Sequence, residues 1–247
     1  MEYLVTMTTH VPEGTPDEAV DDVRARESAR SRELAAQGHL LRLWRPPLRP
    51  GEWRTLGLFA AADGGELEQV LASMPLRIWR TDEVTPLAPH RNDPGPGREP
   101  TGGTEFFTVF TRAVPPGTPA QAIEDAEAGE AERTHDLAGQ GHLVRLWVLP
   151  GAGRALGLWR ADGGARLQAI LESLPLYAWL TVQTTPLSPH PSDPAIAGSL
   201  HDHDAEGSHH HRRLAGHRRG PGGRVPPAAP YITGKILHVD SGQSAGH

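Results

Sequence analysis

Two glutamates in this chain could carry a proton, because each is predicted to lie on the apolar face of a helix. Glu27 and Glu130 stand four and seven residues from apolar side chains, a spacing that places them on one helical face. These side chains are Val20, Val23 and Leu34 in the first helix and Ile123, Ala126 and Leu137 in the second. A carboxyl group removed from water is costly to ionise, so its pKa tends upward and it becomes a candidate general base. We therefore predict that Glu27 and Glu130 are catalytic.

Two structural explanations for these glutamates remain open. Each could be half of a buried ion pair, with Arg42 or Arg145 as the partner. Alternatively, a rotation of the first helix would leave Glu27 at a solvated edge, because many outer positions of that helix are also charged.

The strand predicted after each helix carries candidate substrate-binding residues. Arg42 and Trp44 are two residues apart, so their side chains share one face of the strand. A guanidinium group beside an indole could bind a small carboxylate, because the arginine fork can donate two hydrogen bonds. Arg145 and Trp147 repeat the arrangement in a second copy. An edge arginine stacked on a packed tryptophan is the alternative.

Four histidines are further candidates for binding a substrate. His39 and His142 follow the ends of the predicted helices. A histidine cation there is stabilised by the negative end of the helix dipole, so capping of the helix is the alternative explanation. His90 and His190 follow the last predicted strand of each copy and precede proline-rich loops, from which either could reach the rim of a pocket. A loop histidine without a role is the alternative.

The candidate residues recur because the chain contains two copies of one sequence. The segment 37–44 returns as 140–147, and the segment 85–90 returns as 185–190. Copies of this length match small domains better than solenoid units. We predict domains at residues 1–94 and 104–194, joined by a Pro- and Gly-rich linker at 95–103 that lets the halves pack side by side.

Each copy is predicted to have the element order βαββαβ. In the first copy the strands are placed at 3–8, 40–44, 55–60 and 78–85, and the helices at 15–37 and 66–73. Thr15 and Thr118 are predicted to cap the long helices, and Gly38 to end the first of them in the left-handed conformation. The order indicates an α+β fold of two tandem ferredoxin-like domains. Because helices cover one side of such a sheet, the bare faces are expected to pack together as an intramolecular pseudo-dimer of the dimeric α/β-barrel type.

Composition argues against several classes of function. The net charge of −6 over 247 residues gives no basic field, so a nucleic-acid partner is not expected. Cysteine is absent from the sequence, which excludes disulfides, thiolate metal sites and a cysteine nucleophile. The first residues lack a signal-peptide pattern, and no segment approaches the roughly 20 apolar residues of a membrane helix. We expect a cytoplasmic protein without a membrane partner.

Residues 195–247 differ in character and are predicted to be mostly disordered, because they have little apolar surface to bury. Six histidines between His201 and His217 could bind a metal adventitiously, but no element fixes their geometry, so no metal site is predicted. The segment 231–243 is similar to the C-terminal end of short-chain dehydrogenase/reductases. The Gly-rich turn and the Tyr-x-x-x-Lys pair of that family are not found in this sequence, so the segment is interpreted as a fusion remnant without reductase activity.

Taken in order, the residues of each copy resemble the muconolactone Δ-isomerase family over nearly all of 1–94 and 104–194. In the first copy the resemblance rests on Glu27, Gly38, Leu43-Trp44-Arg45, Pro75-Leu76 and Pro89-His90. In the second copy it rests on Glu130, Gly141, Leu146-Trp147, Pro175-Leu176 and His190-Pro191-Ser192. No single motif is diagnostic, so the specificity of the resemblance comes from the order and spacing of the whole set.

The resemblance implies a cofactor-free isomerase of the β-ketoadipate route of aromatic catabolism that acts on a small anionic lactone. It also implies a ferredoxin-like domain that assembles through its sheets, so a homo-oligomer is expected. One glutamate, Glu27 or Glu130, would both remove and return the proton. Arg42 or Arg45 would bind the carboxylate of the substrate.

The enolate that forms during such a reaction needs a hydrogen-bond donor, for which the resemblance suggests His39, His90 or a backbone N–H. The second copy differs from the first at one of these positions, because it has Val148 where the first copy has Arg45. Two other functions remain open on the same fold: a non-catalytic module for small-molecule binding or assembly, and a cofactor-free monooxygenase.

Overall fold

The structure is a computed structural model that describes residues 1–97 and 102–196. Most of the predicted tail, with its histidines and its reductase-like segment, lies outside the described residues. The first half contains β1 (Glu2–Thr9), α1 (Asp17–Ala36), β2 (Leu40–Arg45), β3 (Arg54–Ala60), α2 (Gly64–Ala72), a 3₁₀ turn (Pro75–Trp79) and β4 (Arg80–Pro89). The second half contains β5 (Thr104–Arg112), α3 (Ala120–Gly139), β6 (Leu143–Val148), β7 (Arg154–Ala161), α4 (Gly164–Glu172), a 3₁₀ turn (Tyr177–Trp179) and β8 (Leu180–Pro189). The predicted order βαββαβ is confirmed for both copies.

The strands of the two halves form one closed barrel, in the order β1-β3-β2-β8-β5-β7-β6-β4. Neighbouring strands within each half are antiparallel. Two short pairings close the barrel between the halves, with Trp44 opposite Pro189 on β2 and β8, and Pro89 opposite Trp147 on β4 and β6. The edge strands of each half therefore pair with the edge strands of the other half, and the tandem copies form the predicted α/β barrel.

Apolar side chains fill three regions, one inside the barrel and one beneath the helices of each half. The inner region draws on both halves, and the ring of Trp44 packs edge-on against Phe107 with the centroids 5.0 Å apart. Beneath the helices, Leu34 of α1 and Leu137 of α3 are fully buried against their own sheets. Every second residue of β1 is buried, as the two-residue period of a strand requires.

A repeated Leu-Gly-Leu sequence lets an aromatic ring lie across each sheet. A Cβ atom added to Gly57 would lie 2.4 Å from the ring of Phe59, and one added to Gly157 would lie 2.2 Å from Nε1 of Trp159. Glycine is needed at both positions because any side chain would displace these rings. The indole N–H of Trp159 donates to the hydroxyl of Thr108 at 2.8 Å.

The predicted helix caps are wrong. The hydroxyl of Thr15 donates to the carbonyl of Pro12 at 2.7 Å, and α1 begins only at Asp17, without a side-chain cap. Thr118 makes the same bond to Pro115 at 2.7 Å. Both hydroxyls close the turn before the helix, where the backbone N–H groups of the two threonines also donate to the same carbonyls.

The predicted start of the last strand is also wrong, whereas the predicted end of the first helix is confirmed. Residues 78 and 79 belong to the 3₁₀ turn that opens at Pro75, and β4 begins at Arg80. Gly38 follows α1 with φ of 78°, in the left-handed region where glycine carries no Cβ penalty. Within residues 1–97 and 102–196, no helix combines the length and apolar character needed to cross a membrane.

Candidate active site

Each half contains a cavity beside its predicted glutamate, and the opposite half completes the wall. Glu27 lines a cavity of about 660 Å³, to which the second half contributes His190, Pro191 and Ser192. Glu130 lines a cavity of about 290 Å³, to which the first half contributes His90, Arg91 and Asn92. The cavities therefore depend on closure of the barrel between the copies. Arg91 and Asn92, at the end of the first copy, therefore line the cavity of the second copy.

Glu130 is buried on the inner face of α3, as predicted, and it lines the cavity with only one of its two carboxyl oxygens bound by the described chain. The residue is 8% exposed, and its Oε2 accepts a hydrogen bond from the backbone N–H of Leu176 at 3.0 Å. Across the described parts of the chain, no donor reaches its Oε1 within hydrogen-bond distance. Burial raises the pKa of Glu130 above its ordinary value, although the Leu176 N–H and the nearby charge of Arg112 act in the opposite direction.

Glu27 also faces inward, but both of its oxygens are occupied. Oε2 accepts from the backbone N–H of Leu76 at 2.8 Å, and Oε1 accepts from the guanidinium of Arg80 at 3.1 Å. The same guanidinium is held by Asp82, with bonds of 2.6 and 3.0 Å. Burial raises the pKa of Glu27, and the Leu76 N–H and Arg80 oppose this.

The ion-pair explanation therefore applies to one glutamate, with a different partner. Arg80, rather than Arg42, binds Glu27, and Arg145 makes no bond with Glu130. The solvated-edge explanation fails, because the side chain of Glu27 is only 13% exposed.

The cation near each glutamate comes from a different strand in the two halves. Arg80 on β4 lies opposite Thr9 on β1 in the strand register. In the second half the equivalent pair is Leu180 on β8 opposite Arg112 on β5, so the arginine is on the other strand of the pair. As a result, Arg112 lines the second cavity but does not form an ion pair with Glu130 as Arg80 does with Glu27.

The guanidinium of Arg112 is only partly satisfied by the protein. One terminal nitrogen donates to Glu127 at 2.6 Å, and Arg91 pairs with the same carboxylate at 3.2 Å. The Nε of Arg112 is buried and has no hydrogen-bond partner among the residues that the structure describes. A buried N–H without an acceptor is costly, so this nitrogen is suited to an acceptor atom of a ligand.

The two loop histidines occupy matching places at the cavity walls, as predicted for a pocket rim. Nδ1 of His90 accepts from the backbone N–H of Asn92 at 3.1 Å, and Nδ1 of His190 accepts from that of Ser192 at 3.1 Å. Because Nδ1 accepts, a neutral ring carries its proton on Nε2. Burial and the charge of Arg91 lower the pKa of His90.

His190 is shifted further in the same direction. Burial and the charge of Arg45 lower the pKa of His190 to about 4. Both rings are therefore neutral at pH 7, and each offers one N–H donor from Nε2.

The predicted arginine–tryptophan pairs share a strand face, but neither pair lines either of these cavities. Arg42 stacks on Trp44 with its guanidinium carbon 4.8 Å from the ring centroid, and both donate to Glu105 from the other half. Arg145 and Trp147 stack at 4.7 Å and donate in the same way to Glu2. The prediction that these four residues bind substrate is therefore corrected, because their donors are already used between the halves.

The same arginines hold the histidine loops in place. Asp93 accepts from Nε of Arg145 at 3.1 Å and from the backbone N–H of Leu146 at 2.9 Å, while its own N–H donates to the carbonyl of His90 at 2.9 Å. Asp193 is bonded in the same way in the other loop, to Arg42 and to the backbone N–H of Leu43. These networks fix each loop against the opposite half.

The remaining predicted residues divide between the sites and the scaffold. Arg45 lines the Glu27 cavity. His39 and His142 line neither cavity, because each ring packs at the end of a strand with Nδ1 3.0 Å from a carbonyl, that of Ala60 or Arg160. Their assignment to substrate binding is corrected.

Several residues of these sites were missed by sequence reasoning, although the repeat contained signals for some of them. The aspartates stand in a repeated Pro-His-x-x-Asp segment, at Asp93 and Asp193. Arg112 and Arg80 occupy positions where the two copies differ, which marks them as residues that distinguish the halves. Among the described residues, no group of three or more His, Asp or Glu side chains is arranged to hold a metal ion.

Solved structures share the barrel at low sequence identity. A heme-binding protein from Thermus thermophilus matches with a TM-score of 0.52 and 14% identity, covering 81% of this chain and 96% of that one. A mutant chlorite dismutase from Candidatus Nitrospira defluvii matches with a TM-score of 0.51 and 12% identity, covering 76% of this chain and 91% of that one. At these identities the likeness shows the fold alone.

Sequence relatives identify the family. Muconolactone Delta-isomerase 1 of Acinetobacter lwoffii is 33% identical over 90 residues, which are 36% of this chain and 91% of that protein. Muconolactone Delta-isomerase of Cupriavidus pinatubonensis is 34% identical over 90 residues, 36% of this chain and 95% of that protein. The family profile described as muconolactone delta-isomerase matches twice, over residues 1–93 and 104–193. The chain therefore belongs to the muconolactone delta-isomerase family, with two copies of the family domain in one polypeptide.

Proposed function

We propose that this protein is an isomerase that moves a proton and a double bond within a small lactone bearing a carboxylate arm. The proposal rests on one observation: a buried carboxyl group and a neutral histidine from the opposite half line the same cavity. The names of the relatives, which are muconolactone Delta-isomerases, support the choice of substrate.

The reaction needs one group that can both accept and return a proton. In the Glu130 cavity, Oε1 would remove the proton from the ring carbon that bears the carboxylate arm, and the electron pair of that C–H bond would form an extended enolate through the ring double bond and the carbonyl. The neutral carboxylic acid would then deliver the same proton to the carbon next to the carbonyl, which re-forms the carbonyl and leaves the double bond shifted by one position. A raised pKa suits this double use, because it brings the acid and base forms closer in free energy near neutral pH.

The developing enolate oxygen and the carboxylate arm need separate partners. His90 can donate from Nε2, because its ring is neutral and its Nδ1 is occupied by the loop backbone. A neutral donor is suited to an enolate oxygen, since it stabilises charge that appears only in the transition state. Arginines line both cavities and can bind the carboxylate, with Arg45 beside Glu27 and Arg112 beside Glu130.

The test is a muconolactone isomerisation assay, followed by ultraviolet absorbance or NMR. The double variant Glu27→Gln/Glu130→Gln is expected to lose at least about 100-fold in kcat, the loss typical of general acid–base help. Glu132→Gln, an exposed position on the same helix, is the matched control and should retain wild-type turnover. Conversion at the wild-type rate by the double variant would refute the mechanism, and binding of muconolactone without conversion by the wild type would support the binding-module alternative.

A further inference from the structure

The two cavities provide their glutamates with different surroundings, and the difference is built into the sequence. The oxygen of Glu27 that faces away from Leu76 is bound by Arg80, which Asp82 in turn holds. The second half has Leu180 and Val182 at the equivalent positions, so no such clamp forms on Glu130.

We propose that turnover is confined to the Glu130 cavity, where Arg112 binds the carboxylate of the substrate, and that Arg80 prevents Glu27 from acting as the base. This inference rests on the proposed isomerase function and assigns different roles to the two copies. The Glu27 cavity is then a diverged site in which the acid–base group is held as half of a buried ion pair.

The contacts of Arg80 explain why Glu27 is a poor base. The guanidinium is 2% exposed and its carboxylate partners are 13% and 2% exposed, so Glu27, Arg80 and Asp82 are the buried part of an ion-pair network that Arg77 joins through Asp82. Protonating Glu27 would leave the charge of Arg80 with one counter-ion, Asp82, which Arg77 shares, in a region of low dielectric constant. The bond from Arg80 also stabilises the ionised form of Glu27, which makes its Oε1 a weaker acceptor for a substrate proton.

The second cavity has the complementary arrangement. One terminal nitrogen of Arg112 donates to Glu127, and its buried Nε has no acceptor in the described chain. Oε1 of Glu130 has no donor there either. A carboxylate arm seated on Arg112 would place the rest of a small substrate in the same 290 Å³ space as Glu130. Apolar side chains surround this space and strengthen electrostatic interactions within it: Phe110, Leu146, Trp159, Leu174, Leu176 and Leu180.

Single variants separate the two cavities. Glu130→Gln is expected to lower kcat at least about 100-fold, and the loss should be at least about 30-fold larger than the loss in Glu27→Gln. Arg112→Gln should raise KM at least about tenfold with a smaller effect on kcat, because it removes binding shared by the ground and transition states. Arg166→Gln, an exposed arginine of α4, is the matched control and should leave KM unchanged.

A transplant tests the role of Arg80 directly. In the Glu130→Gln background, the changes Arg80→Leu and Asp82→Val give the first half the residues of the second at these two positions, while Arg45 still lines the cavity. Turnover should recover at least about tenfold as Glu27 is released. Circular dichroism and thermal unfolding would verify that each variant is folded. Equal losses in Glu27→Gln and Glu130→Gln, with a folded transplant that recovers nothing, would overturn the inference.

A second readout does not depend on turnover. Carboxyl ¹³C resonances of Glu27 and Glu130, assigned from the two Gln variants, can be followed against pH in the intact protein. The inference predicts that Glu130 takes up its proton at higher pH than Glu27. Arg80 bonds directly to Glu27, with Asp82 acting against it, whereas Arg112 favours the ionised form of Glu130 without a hydrogen bond. The reverse order would overturn it. If the wild type fails to convert muconolactone while the order holds, the proposed function fails and the difference between the cavities stands.

Discussion

Replacing Asp93 by Asn should disturb both the stability of the barrel and the chemistry of the Glu130 cavity. Asp93 lies three residues after His90 and accepts from Arg145 and from the backbone N–H of Leu146. The amide keeps the shape of the carboxylate but removes its charge, and its NH₂ group faces donors at one of the two oxygen positions. The loop that carries His90 would lose part of its attachment to β6.

The expected loss in the free energy of unfolding depends on the contacts that Arg145 keeps in the variant. Breaking a buried ion pair typically costs about 3–5 kcal/mol because a charge is left unpaired. Arg145 would keep Glu2, to which it donates at 2.7 and 3.0 Å, so it is not left without a counter-ion. We therefore expect a loss of about 2–3 kcal/mol, the value of one or two charge-assisted hydrogen bonds. Misplacement of His90 should lower kcat by about 10- to 100-fold.

Asp193→Asn is the matched control, because Asp193 holds the His190 loop through Arg42 in the same way. Urea unfolding should show destabilisation of similar size in both variants. Turnover of muconolactone should fall in Asp93→Asn and persist in Asp193→Asn. A pair of variants with equal stability to wild type would refute the assigned energetic role of the loop network, and equal turnover in the two would refute its link to the Glu130 cavity.

Three further predictions concern single positions. His90→Asn should lower kcat about 100-fold by removing the enolate donor, with His190→Asn near wild type as its control, and steady-state kinetics will decide this. Glu130→Gln should raise the unfolding temperature at neutral pH. Burial raises the pKa of Glu130 in the folded state above the ordinary 4.5, so the stability from its protonated form is present below pH 4.5 and is lost as pH rises through the folded pKa. A series of thermal melts against pH should show that the gain from Gln vanishes in acid, and a lower unfolding temperature of the variant at pH 7 would contradict the prediction. Gly157→Ala should destabilise by about 1–3 kcal/mol through its clash with Trp159, while Gly164→Ala, which meets nothing within 4 Å, should not, as denaturant unfolding can verify.

The sequence predicted the fold well because the deciding signals are local and occur twice. Hydrophobic periodicity located α1 and α3, and Gly38 located the end of α1 through its left-handed conformation. The inward direction of Glu27 and Glu130 followed from the same periodicity. The caps at Thr15 and Thr118 were predicted wrongly because each hydroxyl has a nearer acceptor in the preceding turn.

The partners within the site were less predictable, because they lie far apart in the chain. Arg42 binds Glu105 across 63 positions, and Arg145 binds Glu2 across 143. Nothing in a strand pattern specifies which sheet edges meet, so the donors of Arg42 appeared free for a substrate. His90 reaches the Glu130 cavity only because β4 pairs with β6 of the other copy.

The proposed mechanism requires the substrate to bind in the Glu130 cavity with its reacting carbon beside that carboxyl group. A crystal structure of Glu130→Gln soaked with muconolactone tests this most directly, because the variant retains the cavity but should not turn over. We expect the lactone to lie between the substituted side chain and His90, with its carboxylate on Arg112. Ligand bound only beside Glu27, or inside the barrel against Trp44 and Trp147, would contradict it.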